Sequence, residues 1–180
     1  MSMRTSLGFT SRLMDDGYLV VRNLVKDLNP FQNVPKDLYS ERHIVWKGTE
    51  FRSSDEELQV PGSYSRINYP AYEKFHLDLI PFLEETVSCK LTPTYFFDRF
   101  YYAGTELTPH KDWEACEISV SFQIDTTLKE PWPFYADGTP VYLNNGDAII
   151  YRGDTLEHWR EPMKGNKMDY HHQLFLHYMS

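Results

Sequence analysis

Seven histidines stand at positions 43, 76, 110, 158, 171, 172 and 177, and two of them open a His-x-Asp pattern, His76-Leu77-Asp78 and His110-Lys111-Asp112. An imidazole and a carboxylate that reach one point bind a divalent cation. Whether they reach it depends on the local backbone. Residues two apart on a helix point roughly 200° apart, whereas on extended chain they face the same way. Residues 70–88 read as helix, because Tyr72, Phe75, Leu79, Leu83 and Val87 recur at three- and four-residue steps. That sets His76-x-Asp78 aside. His110-x-Asp112 follows one strand-like segment through Gly104–Pro109 and precedes the next, so His110 and Asp112 can hold one ion together. A two-residue pattern is common by chance, and a third ligand must support it. His158 is the best placed, on a short strand after the Gly153 turn and 158 − 112 = 46 residues beyond Asp112. Two histidines and one carboxylate on one face of an octahedron leave three positions open, the arrangement of non-haem Fe(II) oxygenases.

The elements that must position these residues are mostly strands. Tyr18–Val21 follows an Asp-Asp-Gly turn, residues 94–102 are rich in Tyr and Phe, and His172–Tyr178 ends the chain in strand-forming residues. Residues 116–125 alternate, with Cys116, Ile118, Val120, Phe122 and Ile124 on one face and Glu117, Ser119, Ser121, Gln123 and Asp125 on the other. Cys116 reads as core, and His177 as packing. Val141–Leu143 and Ala148–Tyr151 flank an Asn-Asn-Gly-Asp turn and predict a hairpin. Pro81 predicts a break in the helical stretch. Residues 28–68 predict a helix near 35–42, and 44–66 a lid over the site. Strands every 8–12 residues argue for a sandwich or barrel with helices packed outside.

Composition narrows the class. With 18 Lys and Arg against 26 Asp and Glu the net charge is −8, and no run of four basic residues occurs, which disfavours nucleic acid. No apolar run exceeds four residues, so no membrane span is expected. Two cysteines cannot form a disulfide framework, and a reducing, cytoplasmic setting is expected. No Gly-x-Gly-x-x-Gly, P-loop or Gly-x-Ser-x-Gly motif is present.

Residues 94–178 resemble the catalytic core of the 2-oxoglutarate/Fe(II)-dependent oxygenases, in the prolyl-hydroxylase-like branch. The resembling stretches are Arg99-Phe-Tyr-Tyr-Ala-Gly104, Thr108-Pro-His-Lys-Asp112, Asn145-Gly-Asp147, Tyr151-Arg-Gly153, His158-Trp-Arg-Glu-Pro162 and Gln173-Leu-Phe-Leu-His-Tyr178. The resemblance implies a mainly β fold with flanking helices around a double-stranded β-helix, or jelly roll. One domain is then expected over 1–180, with 1–90 as supporting helices and strands and 91–180 as the catalytic core. It further implies Fe(II) held by His110, Asp112 and His158, and 2-oxoglutarate and O2 as cosubstrates. The implied outcome is hydroxylation of a C–H bond with release of succinate and CO2, on a prolyl or other aminoacyl substrate, peptide or small molecule.

The far carboxylate of 2-oxoglutarate needs a cation in a dry barrel. Arg160 ranks first, two residues after His158 on the same strand face; Lys167 and then His171 follow. Tyr102 stands where related enzymes place a cosubstrate-contacting tyrosine. Arg99 reads as structural. Trp113, Trp132 and Tyr135 are expected near the open mouth as substrate-pocket walls. Two further readings fit the same residues: a jelly-roll binding module for sugar or peptide, and a cupin-like metal enzyme that does not use 2-oxoglutarate.

Overall fold

The computed structural model describes Leu13 and residues 15–36, 38–39, 44–46, 49–51 and 59–180. In chain order the strands are β1 (Tyr18–Val21), β2 (Ile44–Trp46), β3 (Thr49–Phe51), β4 (Tyr64–Ile67), β5 (Thr92–Tyr102), β6 (Leu107–His110), β7 (Ile118–Thr126), β8 (Phe134–Ala136), β9 (Thr139–Val141), β10 (Ala148–Tyr151), β11 (His158–Arg160) and β12 (Tyr170–Met179). Two short helices, α1 (Glu73–Asp78) and α2 (Ile80–Val87), fall between β4 and β5. They are separate because Pro81 cannot donate into a continuous helix; it sits in the first turn of α2, where that N–H has no partner anyway.

The strands form two sheets. The larger runs β1-β10-β7-β12-β5-β4-β2-β3 and the smaller β6-β11-β8-β9. Pairing is antiparallel except between β2 and β4. This is a jelly roll, the mainly β fold expected from the sequence. Each long strand of the larger sheet has two buried faces, for two different reasons. Val120, Phe122, Ile124, Leu174, Leu176 and Phe96 pack on the helix side against Tyr72, Leu79 and Leu83. The opposite face looks into the roll. There the register sets Ser119 beside Tyr151 and His177, and Ser121 beside Ile149 and Phe175. Ser119, Ser121 and Gln123 are buried, so the polar half of the β7 alternation lines the interior and not a solvated face.

Two local expectations change. The Asn144–Asp147 turn does not close a hairpin: β9 pairs β8 in the smaller sheet, while β10 lies between β1 and β7 in the larger one. The turn carries the chain from one sheet to the other. The helix expected over 35–42 and the lid over 44–66 lie partly outside the described residues; within them, Lys36, Leu38 and Tyr39 are in turns, and 44–46, 49–51 and 64–67 are strands that extend the larger sheet.

Candidate metal centre

β6 ends at His110, and β11 begins at His158 as its cross-strand partner. Arg160 then pairs Leu107, so β6 takes three residues where β11 takes two. Pro109 lies in that bulge, where a residue without an N–H loses least. The pairing brings the two imidazole centroids to 4.3 Å. His110 Nδ1 donates to the Thr108 carbonyl at 2.7 Å, and His158 Nδ1 donates to the Leu156 carbonyl at 2.9 Å. Both Nε2 lone pairs are thereby left as acceptors. On His110 that lone pair meets the Gln59 amide at 3.1 Å, a donor that a cation would displace.

Asp112 follows on extended chain. Its N–H bonds the Gly153 carbonyl at 2.8 Å. Its Oδ1 lies 3.4 Å from His110 Nε2 and 3.5 Å from His158 Nε2, and its Oδ2 accepts from Ser119 Oγ at 3.2 Å. One donor atom from each of His110, Asp112 and His158 falls within 4.8 Å of the others. Burial opposes ionisation of Asp112, but the His110 and His158 rings beside it outweigh that and hold the carboxyl well below the usual range. Burial likewise opposes charge on His110, and its contact with Asp112 and the Thr108 carbonyl outweighs that and raises its pKa.

Gly153 makes this approach possible. A Cβ there would lie 2.4 Å from the Cys116 carbonyl oxygen, 2.5 Å from Asp112 Oδ2 and 2.7 Å from Ser119 Oγ. Gly153→Ala should therefore displace the carboxylate and weaken metal affinity by about 10- to 100-fold, the range for lost support of a ligand. Equilibrium dialysis against Fe(II) or Co(II) measures it, and unchanged affinity would mean Gly153 does not set the position of Asp112.

A cavity of about 490 Å³ opens onto the three residues, walled by Tyr95, Phe97, Arg99, Leu107, Trp113 and Phe175 among others. Trp113 is 81% exposed at its edge. The other two aromatic residues expected there are elsewhere. Trp132 packs against Tyr101 and His171, away from this cavity. Tyr135 stacks on Trp159, one position out of step with the inward Phe134 and Ala136.

Arg160 is 1% exposed and is the cross-strand partner of the cavity-lining Leu107. Nη1 donates to the Trp132 carbonyl at 2.8 Å, the guanidinium lies 4.7 Å from the Trp132 ring centroid, and Nε and Nη2 have no partner. Burial alone lowers it to about 10. Tyr101 Oη and His171 Nδ1, both buried, are also unmatched, and Tyr101 and His171 are cross-strand partners. Lys167 lies in an exposed turn, off the cavity lining. Tyr102 faces the other way, its hydroxyl bonded to the Leu38 carbonyl.

Strand parity would have found what was missed. Tyr95, Phe97, Arg99 and Tyr101 share the inward face of β5. Arg99 lines the cavity and bonds Ser65 at 3.1 Å and Gln59 at 3.0 Å.

No known family profile matches the chain, and no curated protein matches it by sequence. Solved structures do match. The fold is that of the 2-oxoglutarate/Fe(II) oxygenases. Among them is the non-haem α-ketoglutarate-dependent epimerase SnoN from nogalamycin biosynthesis, with TM-score 0.75, 10% identity, and coverage of 99% of this chain and 84% of SnoN. Another is a Pseudomonas putida prolyl-4-hydroxylase, with TM-score 0.68, 9% identity, and coverage of 97% and 99%. A third is HygX from Streptomyces hygroscopicus, solved with nickel and 2-oxoglutarate, with TM-score 0.69, 11% identity, and coverage of 99% and 87%. Among the described residues no helix is long and apolar enough to cross a membrane.

Proposed function

We propose that this chain is an Fe(II)/2-oxoglutarate-dependent oxygenase that hydroxylates a C–H bond and releases succinate and CO2. The observation that carries the reading is the convergence of His110 Nε2, His158 Nε2 and Asp112 Oδ1 at the mouth of a jelly roll. The residues fit the ion. Both imidazoles present lone pairs fixed by their Nδ1–H bonds, and Asp112 is ionised. Bound there, iron would supply the activation of O2.

The residues also fit the cosubstrate. A buried guanidinium with two unmatched N–H positions is costly by itself. An anion answers it, and Tyr101 Oη adds a buried group able to donate. Two strand residues span about 6.5 Å, which suits a five-carbon dicarboxylate with its keto acid end at His158 and its far carboxylate at Arg160. This favours 2-oxoglutarate use over a cupin-like enzyme without it. Arg99 and the aromatic walls remain to hold substrate. The prolyl-4-hydroxylase likeness supports a prolyl or other aminoacyl substrate, free or in a peptide. Cys89 and Cys116 are unpaired, in keeping with a cytoplasmic setting.

Protein supplied with Fe(II), 2-oxoglutarate and air should release succinate, and peptide or amino-acid pools should contain a species that gains one oxygen atom by mass. Absence of succinate turnover across those pools would count against the assignment. Arg160→Met should weaken 2-oxoglutarate binding by about 10- to 100-fold, since charge-assisted hydrogen bonds are worth roughly 1.5–3 kcal/mol. Iron affinity should not change. If Lys167→Met weakened binding instead, the anchor would lie in the 164–169 turn.

A further inference from the structure

Asp112 is shared between two groups of donors. Its Oδ1 faces His110 and His158, while its Oδ2 faces Ser119. On that second side stand Cys116 and His177, and one donor atom from each of Asp112, Cys116 and His177 falls within 4.8 Å of the others. We propose that Asp112, Cys116 and His177 form a second cation site, selective for a thiophilic divalent ion such as Zn2+, that competes with the His110–Asp112–His158 centre for the shared carboxylate.

The ring of His177 carries the first argument. Its Nδ1 lies 2.9 Å from Ser119 Oγ. Ser119 has one proton, and the Asp112 carboxylate is its strongest acceptor. With the Ser119 proton on Asp112 or on the Cys116 carbonyl, each 3.2 Å away, His177 Nδ1–H donates to Ser119 and Nε2 is a bare lone pair. That atom is buried, on a residue 3% exposed, and has no partner. A buried acceptor without a donor calls for a ligand.

The donor set carries the second. Thiolate, imidazole and carboxylate together are softer than two imidazoles and a carboxylate, and they suit zinc or cobalt. Cys116 is buried, with its Sγ 3.3 Å from Tyr95 Oη, a hydroxyl able to donate to a thiolate. Tetrahedral zinc, with Zn–S near 2.3 Å and Zn–N near 2.0 Å, holds its donors about 3.5 Å apart. Donor atoms within 4.8 Å of one another need to close by at most about 1.3 Å to reach that spacing.

Cobalt(II) is the probe, because a thiolate bound to it absorbs in the near ultraviolet and the His110–Asp112–His158 centre contains no sulfur. Cys89→Ser provides the background and removes the exposed thiol. The absorption should develop with about one equivalent of Co2+ and persist when His110→Ala is added, which separates this site from the proposed reaction centre. It should vanish in Cys116→Ser and require at least tenfold more Co2+ in His177→Phe. Absence of the absorption in the Cys89→Ser protein overturns the proposal. So does its survival in Cys116→Ser, or an unchanged titration in His177→Phe.

Discussion

Asp112→Ala should abolish succinate formation and reduce Fe(II) affinity by well over 100-fold, beyond the 10- to 100-fold typical of an outer-shell partner. The effect is large because the side chain has three tasks. It supplies the one anionic donor, its Oδ1 faces both imidazoles, and its Oδ2 ties the loop to Ser119. The fold should survive, since the Asp112 N–H to Gly153 carbonyl bond does not involve the side chain. His158→Ala should match it in activity, as its ring is one of the two fixed imidazoles. In the parent protein, metal affinity should fall with acid, because protons compete for His110, whose pKa is raised by Asp112 and the Thr108 carbonyl against the pull of burial. Circular dichroism checks the fold and dialysis the metal. Retained iron binding in Asp112→Ala would remove this carboxylate from the centre.

The largest effect on stability should come from the other face of β5. Asp98 is fully buried, takes two bonds of 3.1 Å from Arg66 Nε, and accepts from His172 Nε2 at 2.7 Å. Arg66 is itself 3% exposed and lies 4.1 Å over the Tyr69 ring. Removing one partner of a buried pair leaves the other charge uncompensated. Asp98→Ala should therefore cost about 3–5 kcal/mol, against a total of roughly 5–15 kcal/mol for a domain. For a chain of this size the melting temperature should drop by roughly 6–20 °C. Burial opposes ionisation of Asp98, and the bonds from His172 and Arg66 outweigh it and lower its pKa. A group lowered on folding contributes stability above its unfolded pKa, near 3.9 for Asp, and loses it as pH falls through the folded value. Asp98→Asn should remove that part of the acid sensitivity. Urea unfolding measures both variants, and a loss under about 1 kcal/mol in Asp98→Ala would show that the pair adds little.

What was legible in the sequence follows from which signals are local. The β7 alternation and the Pro81 break were legible because periodicity and a missing N–H act within a few residues. His110, Asp112 and His158 were legible as a group because extended chain puts alternate residues on one face. The Asn144–Asp147 turn misled for the same reason: its residues fix a reversal of the chain, not which sheet receives the next strand. Tyr102 stood out by resemblance to related enzymes, yet the β5 register faces Tyr101 inward with His171. Trp132 is near Pro131 and Pro133 in the chain but packs under Arg160, a contact between segments 28 residues apart. Cys116 and His177 read as packing because nothing local joins them; the β7–β12 register sets His177 beside Ser119, three residues after Cys116.

In the proposed function, 2-oxoglutarate chelates one ferrous ion held by His110, Asp112 and His158. Under nitrogen, Fe(II) and 2-oxoglutarate added together should give the weak visible charge-transfer colour of an iron-bound keto acid, at about one iron per chain, in the parent protein and not in His110→Ala. Colourless parent protein under saturating Fe(II) and 2-oxoglutarate, or equal colour in His110→Ala, would contradict it.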